Sequence, residues 1–146
     1  RCPEKLLEDS SSAQIGKAQI IRMPKGSAKR KIWIWALGDM LPAALDAAEK
    51  LEADDIASVG VVDPIFIKPL DYELLQRQIE TGAEIATIEN GVLQGGFGSA
   101  ILEAAPHGKV TRFGWGDAPI EHGTPEELFK EAGLDAEAIT KRLSQK

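Results

Sequence analysis

Cysteine and histidine are nearly absent from this sequence, which holds one cysteine, Cys2, and two histidines, His107 and His122, among 146 residues. A single cysteine excludes a disulfide within the chain and a cysteine-based zinc cluster. The two histidines are far apart in the sequence, and neither stands in the HExxH spacing of a zinc protease. We therefore expect no metal site in this chain.

Long hydrophobic runs are also missing. No stretch approaches the roughly 20 apolar residues that a membrane span needs, and no secretory signal is visible. Together with the lone cysteine, this predicts a soluble protein of a reducing compartment, hence a cytoplasmic location without a membrane partner.

An excess of basic residues is lacking as well, since 17 Lys and Arg face 23 Asp and Glu, for a net charge of −6. Nucleic-acid binding requires clustered cations that displace counterions, so a nucleic-acid partner is disfavoured. The one dense basic run, KGSAKRK over Lys25–Lys31, adjoins Pro24 and is predicted to be a solvated turn.

The sequence does contain enough apolar residues, 43%, for the core of one α/β domain. Five segments rich in β-branched or aromatic residues are predicted as strands. The first two flank a turn rich in Pro, Gly and Ser and are expected to pair as a hairpin. The predicted strands are Ala18–Met23, Lys31–Leu37, Ala57–Val62, Glu84–Glu89 and Val110–Trp115.

Helical patterns separate these strands. The stretch LPAALDAAEKLE repeats apolar residues at helical spacing, on a face formed by Leu41, Ala44, Leu45, Ala48 and Leu51. Asp71 and Asp135 are predicted caps of two further helices, and Thr124 with Glu127 forms a capping box ahead of a helix that Gly133 ends. A short helix is expected over Ser99–Ala105.

Strands that alternate with helices favour right-handed crossovers and a parallel sheet covered on both faces. The predicted fold is therefore a three-layer α/β/α domain, with a mainly parallel five-stranded sheet and one antiparallel edge strand. The segment before Ala18 is polar and rich in serine, which is typical of a linker.

The glycine-rich run GGFGS between a predicted strand and a helix invites comparison with phosphate-binding loops. Its spacing fits neither known pattern: Ile101 stands where a dinucleotide fingerprint needs its third glycine, and no lysine follows Gly98 as in a Walker loop. A weak anion site at the helix start remains the alternative. The favoured interpretation is structural, with Gly95, Gly96 and Gly98 letting the backbone approach a neighbouring surface closely.

No complete catalytic set is visible. Glu89 could act as a general base at the end of a strand, but an isolated carboxylate there is more often a helix cap or an acceptor that organises a loop. Glu121 and His122 are adjacent in an extended segment and so point apart, which favours an exposed His122 over a catalytic pair. Trp33 and Trp35 share one strand face and are predicted to be buried. We therefore expect no catalytic residue in this chain.

Three motifs resemble a known family. They are IFIKPLD (65–71), TIENGVLQGGFGSAILE (87–103) and IEHGTPEELFKEAGLDAEAI (120–139). In their order and spacing they resemble the C-terminal domain of the transketolase-like thiamine diphosphate enzymes, most closely the 1-deoxy-D-xylulose-5-phosphate synthases. The resemblance implies a domain over residues 15–146, preceded over residues 1–14 by the end of another domain and a linker.

The resemblance implies a supporting role for this chain. In that family thiamine diphosphate and Mg²⁺ are held by two preceding domains of the same chain, so no cofactor is expected here. The third domain helps to form a homodimer and one wall of the substrate channel. The parent would be a transferase that condenses pyruvate with glyceraldehyde 3-phosphate in isoprenoid biosynthesis, and this fragment alone would be inactive.

The resemblance also assigns the substrate phosphate to two arginines. The first arginine of the family motif Arg-Tyr-Pro-Arg matches Arg1, whereas Glu4 replaces the second arginine of that motif. The other phosphate-binding arginine of the family corresponds to Ile65, which cannot bind phosphate. We therefore expect a parent enzyme that uses glyceraldehyde 3-phosphate poorly.

Two alternatives remain open at this stage. The chain could be a stand-alone oligomerisation module without catalysis, although its opening RCPEK, without Met, is typical of a piece of a longer polypeptide. It could also be the C-terminal domain of the β subunit of a 2-oxoacid dehydrogenase E1. The IEHG and EAGLDA motifs favour the synthase resemblance.

Overall fold

A computed structural model describes residues 13–120 and 122–145, in which five strands form one sheet. The order across the sheet is β1-β3-β2-β4-β5. Neighbours among β2 to β5 pair in parallel, whereas β1 pairs with β3 in antiparallel and lies at the edge. The predicted sheet, mainly parallel with one antiparallel edge strand, is confirmed. The strands are β1 (Gln19–Arg22), β2 (Lys31–Ala36), β3 (Ser58–Asp63), β4 (Glu84–Val92) and β5 (Val110–Trp115).

The predicted hairpin between β1 and β2 is wrong. Both edges of β2 are occupied by parallel partners, β3 on one side and β4 on the other. Five of its six residues are buried, which is typical of a central strand. The strand β1 is only half-buried and could join the sheet only at its edge, where Gln19 pairs with Asp63 at the end of β3.

Five helices cover the two faces of the sheet and complete the predicted three layers. One face packs mainly on α1 and α5, with side chains of α4 at its margin, and the other face packs on α2 and α3. The helices are α1 (Leu41–Ala53), which follows a 3-10 turn at Gly38–Met40, α2 (Tyr72–Glu80), α3 (Phe97–Ala104), α4 (Pro125–Ala132) and α5 (Ala136–Ser144).

Helix boundaries follow the predicted capping residues closely. The carboxylates of Asp71 and Asp135 accept from the N–H groups of Leu74 and Ala138, at 3.0 and 2.8 Å. Thr124 and Glu127 form the predicted reciprocal capping box. Gly133 ends α4 in the left-handed conformation, at φ 69°. Only α3 deviates, because it begins at Phe97 and not at Ser99.

The two tryptophans of β2 share one strand face and are buried, as predicted, and this face packs on α2 and α3. Trp35 is fully buried and its indole donates to the Gln78 side chain at 2.8 Å. Trp33 lies directly over Gly60 of the neighbouring β3, so closely that a Cβ at position 60 would overlap its ring. The side chain of Trp33 therefore occupies the volume that a larger residue on β3 would need.

Two further predictions need adjustment. Leu45 of α1 is only half-buried, while Ala47, which was not assigned to the apolar face, is fully buried. In the basic turn, Lys25, Lys29 and Lys31 are exposed as predicted, but Arg30 is half-buried.

Arg30 is a structural clamp. It forms a bidentate ion pair with Glu84, at 2.8 and 2.9 Å, and donates to the Leu143 carbonyl, thereby tying the turn just before β2 to β4 and α5. Within the described part of the chain, every helix is too short or too polar to span a bilayer.

Candidate functional site

The carboxyl edge, where the parallel strands β2 to β5 end, is the place where open α/β sheets usually bind ligands. Four connecting segments leave the sheet there: residues 37–40 after β2, 64–71 after β3, 93–96 after β4 and 116–120 after β5. The glycine-rich loop and its neighbour Glu89 belong to this edge. It is therefore the candidate functional site.

Glu89 is buried, with 3% of its surface exposed, and points towards the start of α3. Its two carboxylate oxygens accept from the backbone N–H groups of Phe97 and Gly98, each at 2.7 Å. N–H groups of the first helical turn have no acceptor within the helix, and the helix dipole there also favours a negative charge. Glu89 thus organises the loop and caps α3, and both of its oxygens are engaged.

Close packing requires glycine at two of the three loop positions. A Cβ at Gly96 would overlap the Glu89 carboxylate and the Val92 carbonyl. A Cβ at Gly98 would lie 2.7 Å from Oγ1 of Thr87 and 2.8 Å from Cδ of Arg112. For Gly95 the expectation of close approach is wrong, because an added Cβ meets nothing within 4 Å. Its requirement is conformational, since its φ is +71°.

Arg112 and Ser99 hold the other side of the same loop. The Ser99 hydroxyl accepts from Gly95 N–H at 3.1 Å and donates to the Leu93 carbonyl at 2.9 Å. Arg112 donates to that carbonyl at 2.9 Å and to the Ser99 hydroxyl at 3.0 Å. The loop is therefore clamped from both flanks, by Glu89 on one side and Arg112 on the other.

A second hydrogen-bond chain connects the turn after β2 with the ends of β4 and β5. The Asn90 amide donates to Asp39 at 2.9 Å and accepts from the Trp115 indole at 2.8 Å. Sequence reasoning missed Arg112 and Asn90. Neither has a local signal, because their partners are brought together only by the order of the strands.

Ile65 lies in the segment after β3 and is exposed at this edge. Its φ is +54°, a conformation that β-branched residues rarely adopt. The Asp63 carboxylate accepts from its N–H at 2.9 Å and so helps to fix that conformation. Ile67, two residues later, lines a cavity of about 420 Å³ together with Leu37, Val92 and the glycine loop.

No cluster of three or more His, Cys, Asp or Glu with metal-binding geometry occurs among the described residues. His107 and His122 are both exposed, as expected for His122. Arg1, Glu4 and Glu121 lie outside the described residues, so the expectation for Arg1 stays a prediction.

Comparison with known families decides the relationship. The model of the family described as "Transketolase, C-terminal domain" matches residues 16–139. The chain belongs to this family. Its relatives are consistent with the assignment: over 144 residues this transketolase C-terminal domain is 42% identical to 1-deoxy-D-xylulose-5-phosphate synthase of Geobacillus sp. (strain WCH70).

Other relatives show the same coverage. The domain is 41% identical over 142 residues to 1-deoxy-D-xylulose-5-phosphate synthase 2 of Geobacter sulfurreducens, and 37% identical over 144 residues to the synthase of Paraburkholderia xenovorans. These matches, with that of Geobacillus, cover 92 to 96% of this chain but only 22% of each relative. The chain thus spans about a fifth of the length of the curated relatives it matches.

Solved structures agree on the fold. A split-gene transketolase, described as an inactive β4 tetramer, superposes with a TM-score of 0.80 at 30% identity, over 91% of this chain and 43% of that one. A transketolase from Pichia stipitis superposes with a TM-score of 0.60 at 20% identity, over 89% of this chain and 18% of that one. The second match supports the fold alone.

Proposed function

We propose that this chain is the C-terminal domain of a thiamine diphosphate-dependent transferase close to 1-deoxy-D-xylulose-5-phosphate synthase. In this role it supports dimerisation and substrate enclosure and has no activity of its own. The observation that carries the proposal is identity of 37 to 42% to three such synthases, along nearly the whole chain, with only 22% of each relative covered. This favours the synthase over a 2-oxoacid dehydrogenase subunit.

The cofactor belongs to other domains in this proposal, because the candidate site does not fit it. The start of α3, where a diphosphate would bind, is already occupied by the negatively charged Glu89 carboxylate. The part of the chain that the structure describes also lacks a carboxylate or histidine cluster for Mg²⁺. We therefore assign no step of the reaction to a cofactor held by this domain.

A structural relative supports a role in assembly. The split-gene transketolase chain, of which this domain covers 43%, is described as an inactive β4 tetramer. That chain therefore self-associates without being active. We propose that here, too, the chemistry takes place in the cofactor-binding domains, whereas this domain supports the contacts between subunits.

The proposal extends to how the acceptor substrate is bound. Arg1 would contact the phosphate of the acceptor, whereas the exposed Ile65 supplies no charge at the carboxyl edge. A hydrogen bond to a charged group contributes about 1.5–3 kcal/mol, so its absence weakens binding of a phosphorylated aldehyde. The parent would accordingly favour another acceptor or use another cation.

A fusion tests this function. The chain is joined to the upstream part of the Geobacillus relative in place of that enzyme's own last domain. Product formation is measured with thiamine diphosphate and Mg²⁺, from pyruvate and glyceraldehyde 3-phosphate, the latter at a concentration high enough to offset the weak binding expected from Ile65. We expect turnover by the fusion, and none by the upstream part or by this chain alone. Activity of the isolated chain, or a folded but inactive fusion, would refute the proposal.

A further inference from the structure

Exposed apolar side chains of this domain concentrate at one end. Six of the nine large exposed apolar side chains in the described part of the chain lie on segments at the carboxyl edge, and Ile20 lies on β1, which begins at that edge. Of the large exposed apolar side chains among the described residues, only Met23, just after β1, and Leu102, on α3, lie elsewhere. The carboxyl-edge surface, as we define it, comprises Ile15, Ile65, Ile67, Tyr72, Val92 and Ile120, each between 37 and 75% exposed.

This surface has a concave centre, beneath which the polar side chains that hold the glycine loop are already engaged. Ile67 and Val92 line the cavity of about 420 Å³ beside the glycine loop. The polar groups beneath that loop are engaged with one another, because Glu89 binds two backbone N–H groups and Arg112 binds Ser99 and Leu93. An apolar surface on a clamped loop of this kind is typical of an interaction site.

The chain itself enters the domain at the same edge. The strand β1 runs opposite to its neighbour, so its first residue, Gln19, pairs with Asp63, the last residue of β3. The segment before it follows the β3–α2 connection: Gly16 lies against Pro69, and Ala18 N–H donates to Asp71 at 3.1 Å. Whatever is joined to residue 13 is therefore tethered beside the carboxyl-edge surface.

We propose that the carboxyl-edge surface packs against the thiamine diphosphate-binding domains of the same chain. This inference rests on the proposed function, which supplies those domains. Tethering makes the contact intramolecular, so a modest apolar surface suffices to hold it closed. The glycine loop then has a mechanical purpose, which is to present Val92 and its neighbours to the adjoining domain in one fixed shape.

Cysteine labelling tests the contact without depending on catalysis. In a Cys2→Ser background, the Ile67→Cys variant probes the surface, and the Met23→Cys variant is the matched control, since Met23 is 60% exposed at the opposite end of the sheet. Each variant is made in the isolated 146-residue chain and in the fusion with the upstream domains, whose own cysteines are replaced. The rate of reaction with a maleimide is measured in all four proteins.

We expect position 67 to react about tenfold or more slowly in the fusion than in the isolated chain, because a covered thiol reacts only through openings of the interface. Position 23 should react equally in both. Equal rates at position 67 would overturn the proposal. So would slow labelling of position 67 in the isolated chain that is relieved by dilution, because a second copy would then cover the surface.

The two proposals fail separately. Product formation by the unlabelled fusion reports on the proposed function, whereas protection of position 67 reports on the docking surface. An active fusion with an unprotected position 67 would refute only the docking surface. A protected position 67 in an inactive fusion would support the docking surface and refute the proposed function.

Discussion

Glu89 holds the glycine loop through two hydrogen bonds to the start of α3. Replacement by Ala would leave the buried N–H groups of Phe97 and Gly98 without their acceptors. We expect the Glu89→Ala variant to lose about 2–4 kcal/mol in its free energy of unfolding, measured by urea denaturation. The control is Glu103→Ala, an exposed carboxylate beside the same cavity, which should change stability by less than about 0.5 kcal/mol. Similar losses in both variants would contradict this account of the loop.

Ile65 combines an unusual conformation with an unusual side chain for its place. Because β-branched residues are disfavoured at its φ of +54°, an unbranched arginine should fit the same backbone with less strain. We expect the Ile65→Arg variant to be at least as stable as the parent chain in thermal unfolding. In the fusion it should also lower the KM for glyceraldehyde 3-phosphate by about tenfold or more, as a new charged contact would.

The comparison for Ile65 is the Ile65→Gln variant, which is unbranched but uncharged. It should match the stability of the arginine variant without its effect on KM. If the unmodified fusion already saturates at low concentrations of glyceraldehyde 3-phosphate, position 65 does not limit the binding of the acceptor.

At the scale of elements, Glu52 joins parts that are distant in sequence. From α1 it accepts from the N–H groups of Val59 at 2.8 Å and Lys25 at 2.7 Å, and it pairs with Arg22 of β1. Burial alone would raise the pKa of Glu52, but these donors and the Arg22 charge outweigh it and hold the pKa below its ordinary value of 4.5. The ionised carboxylate thus fixes β1 and the turn after it to α1 and β3.

This gives a pH dependence with a definite sign. Because the folded pKa of Glu52 is lowered, its contribution to stability is present above about pH 4.5 and is lost as the pH falls through the folded value. We expect the stability deficit of the Glu52→Gln variant to be largest near neutral pH and to shrink below pH 4.5. Urea denaturation across this range measures it, with Glu49→Gln, on the exposed side of the same helix, as control. A deficit independent of pH would show that the Glu52 charge does not contribute.

Local chemistry explains which elements could be predicted from the sequence. Three capping side chains accept a hydrogen bond from the backbone N–H three residues later, so the helix starts that they determine could be predicted from the local sequence. They belong to Asp71, Thr124 and Asp135. The pairing of β1 could not be predicted in this way. The short distance in sequence and the composition of the turn favoured pairing with β2, whereas contacts with residues 39 or more positions later in the sequence attach β1 to β3. The early start of α3 has the same origin, since Glu89 lies outside the helix it caps.

The candidate site was predictable only in part for a related reason. The glycines and Glu89 stand together in the sequence, whereas Arg112, Asn90 and Asp39 become neighbours only through the strand order β1-β3-β2-β4-β5. Nothing in a local pattern specifies which strands are adjacent. A structure was needed to show that the turn after β2 and the ends of β4 and β5 are hydrogen-bonded to one another at one edge.

At the scale of the whole molecule, β2 contributes side chains to the buried apolar clusters on both faces of the sheet. Ile32 and Ile34 pack towards α1 and α5, while Trp33 and Trp35 pack towards α2 and α3. Loss of one helical layer would therefore expose the strand that supports the other layer. We expect a single cooperative transition, with the same urea midpoint by far-ultraviolet circular dichroism and by tryptophan fluorescence. Distinct midpoints would show that the two layers unfold separately.

The contact between Trp33 and Gly60 has an evolutionary consequence. The indole occupies the space above β3 that a side chain at position 60 would need, so the two positions share one volume. A larger residue at position 60 fits only after Trp33 has been replaced by a smaller residue. Conversely, a smaller residue at position 33 leaves a void until Gly60 is replaced by a larger one. Substitutions at these sites are therefore non-additive, and lineages should exchange bulk between the two strands as a pair.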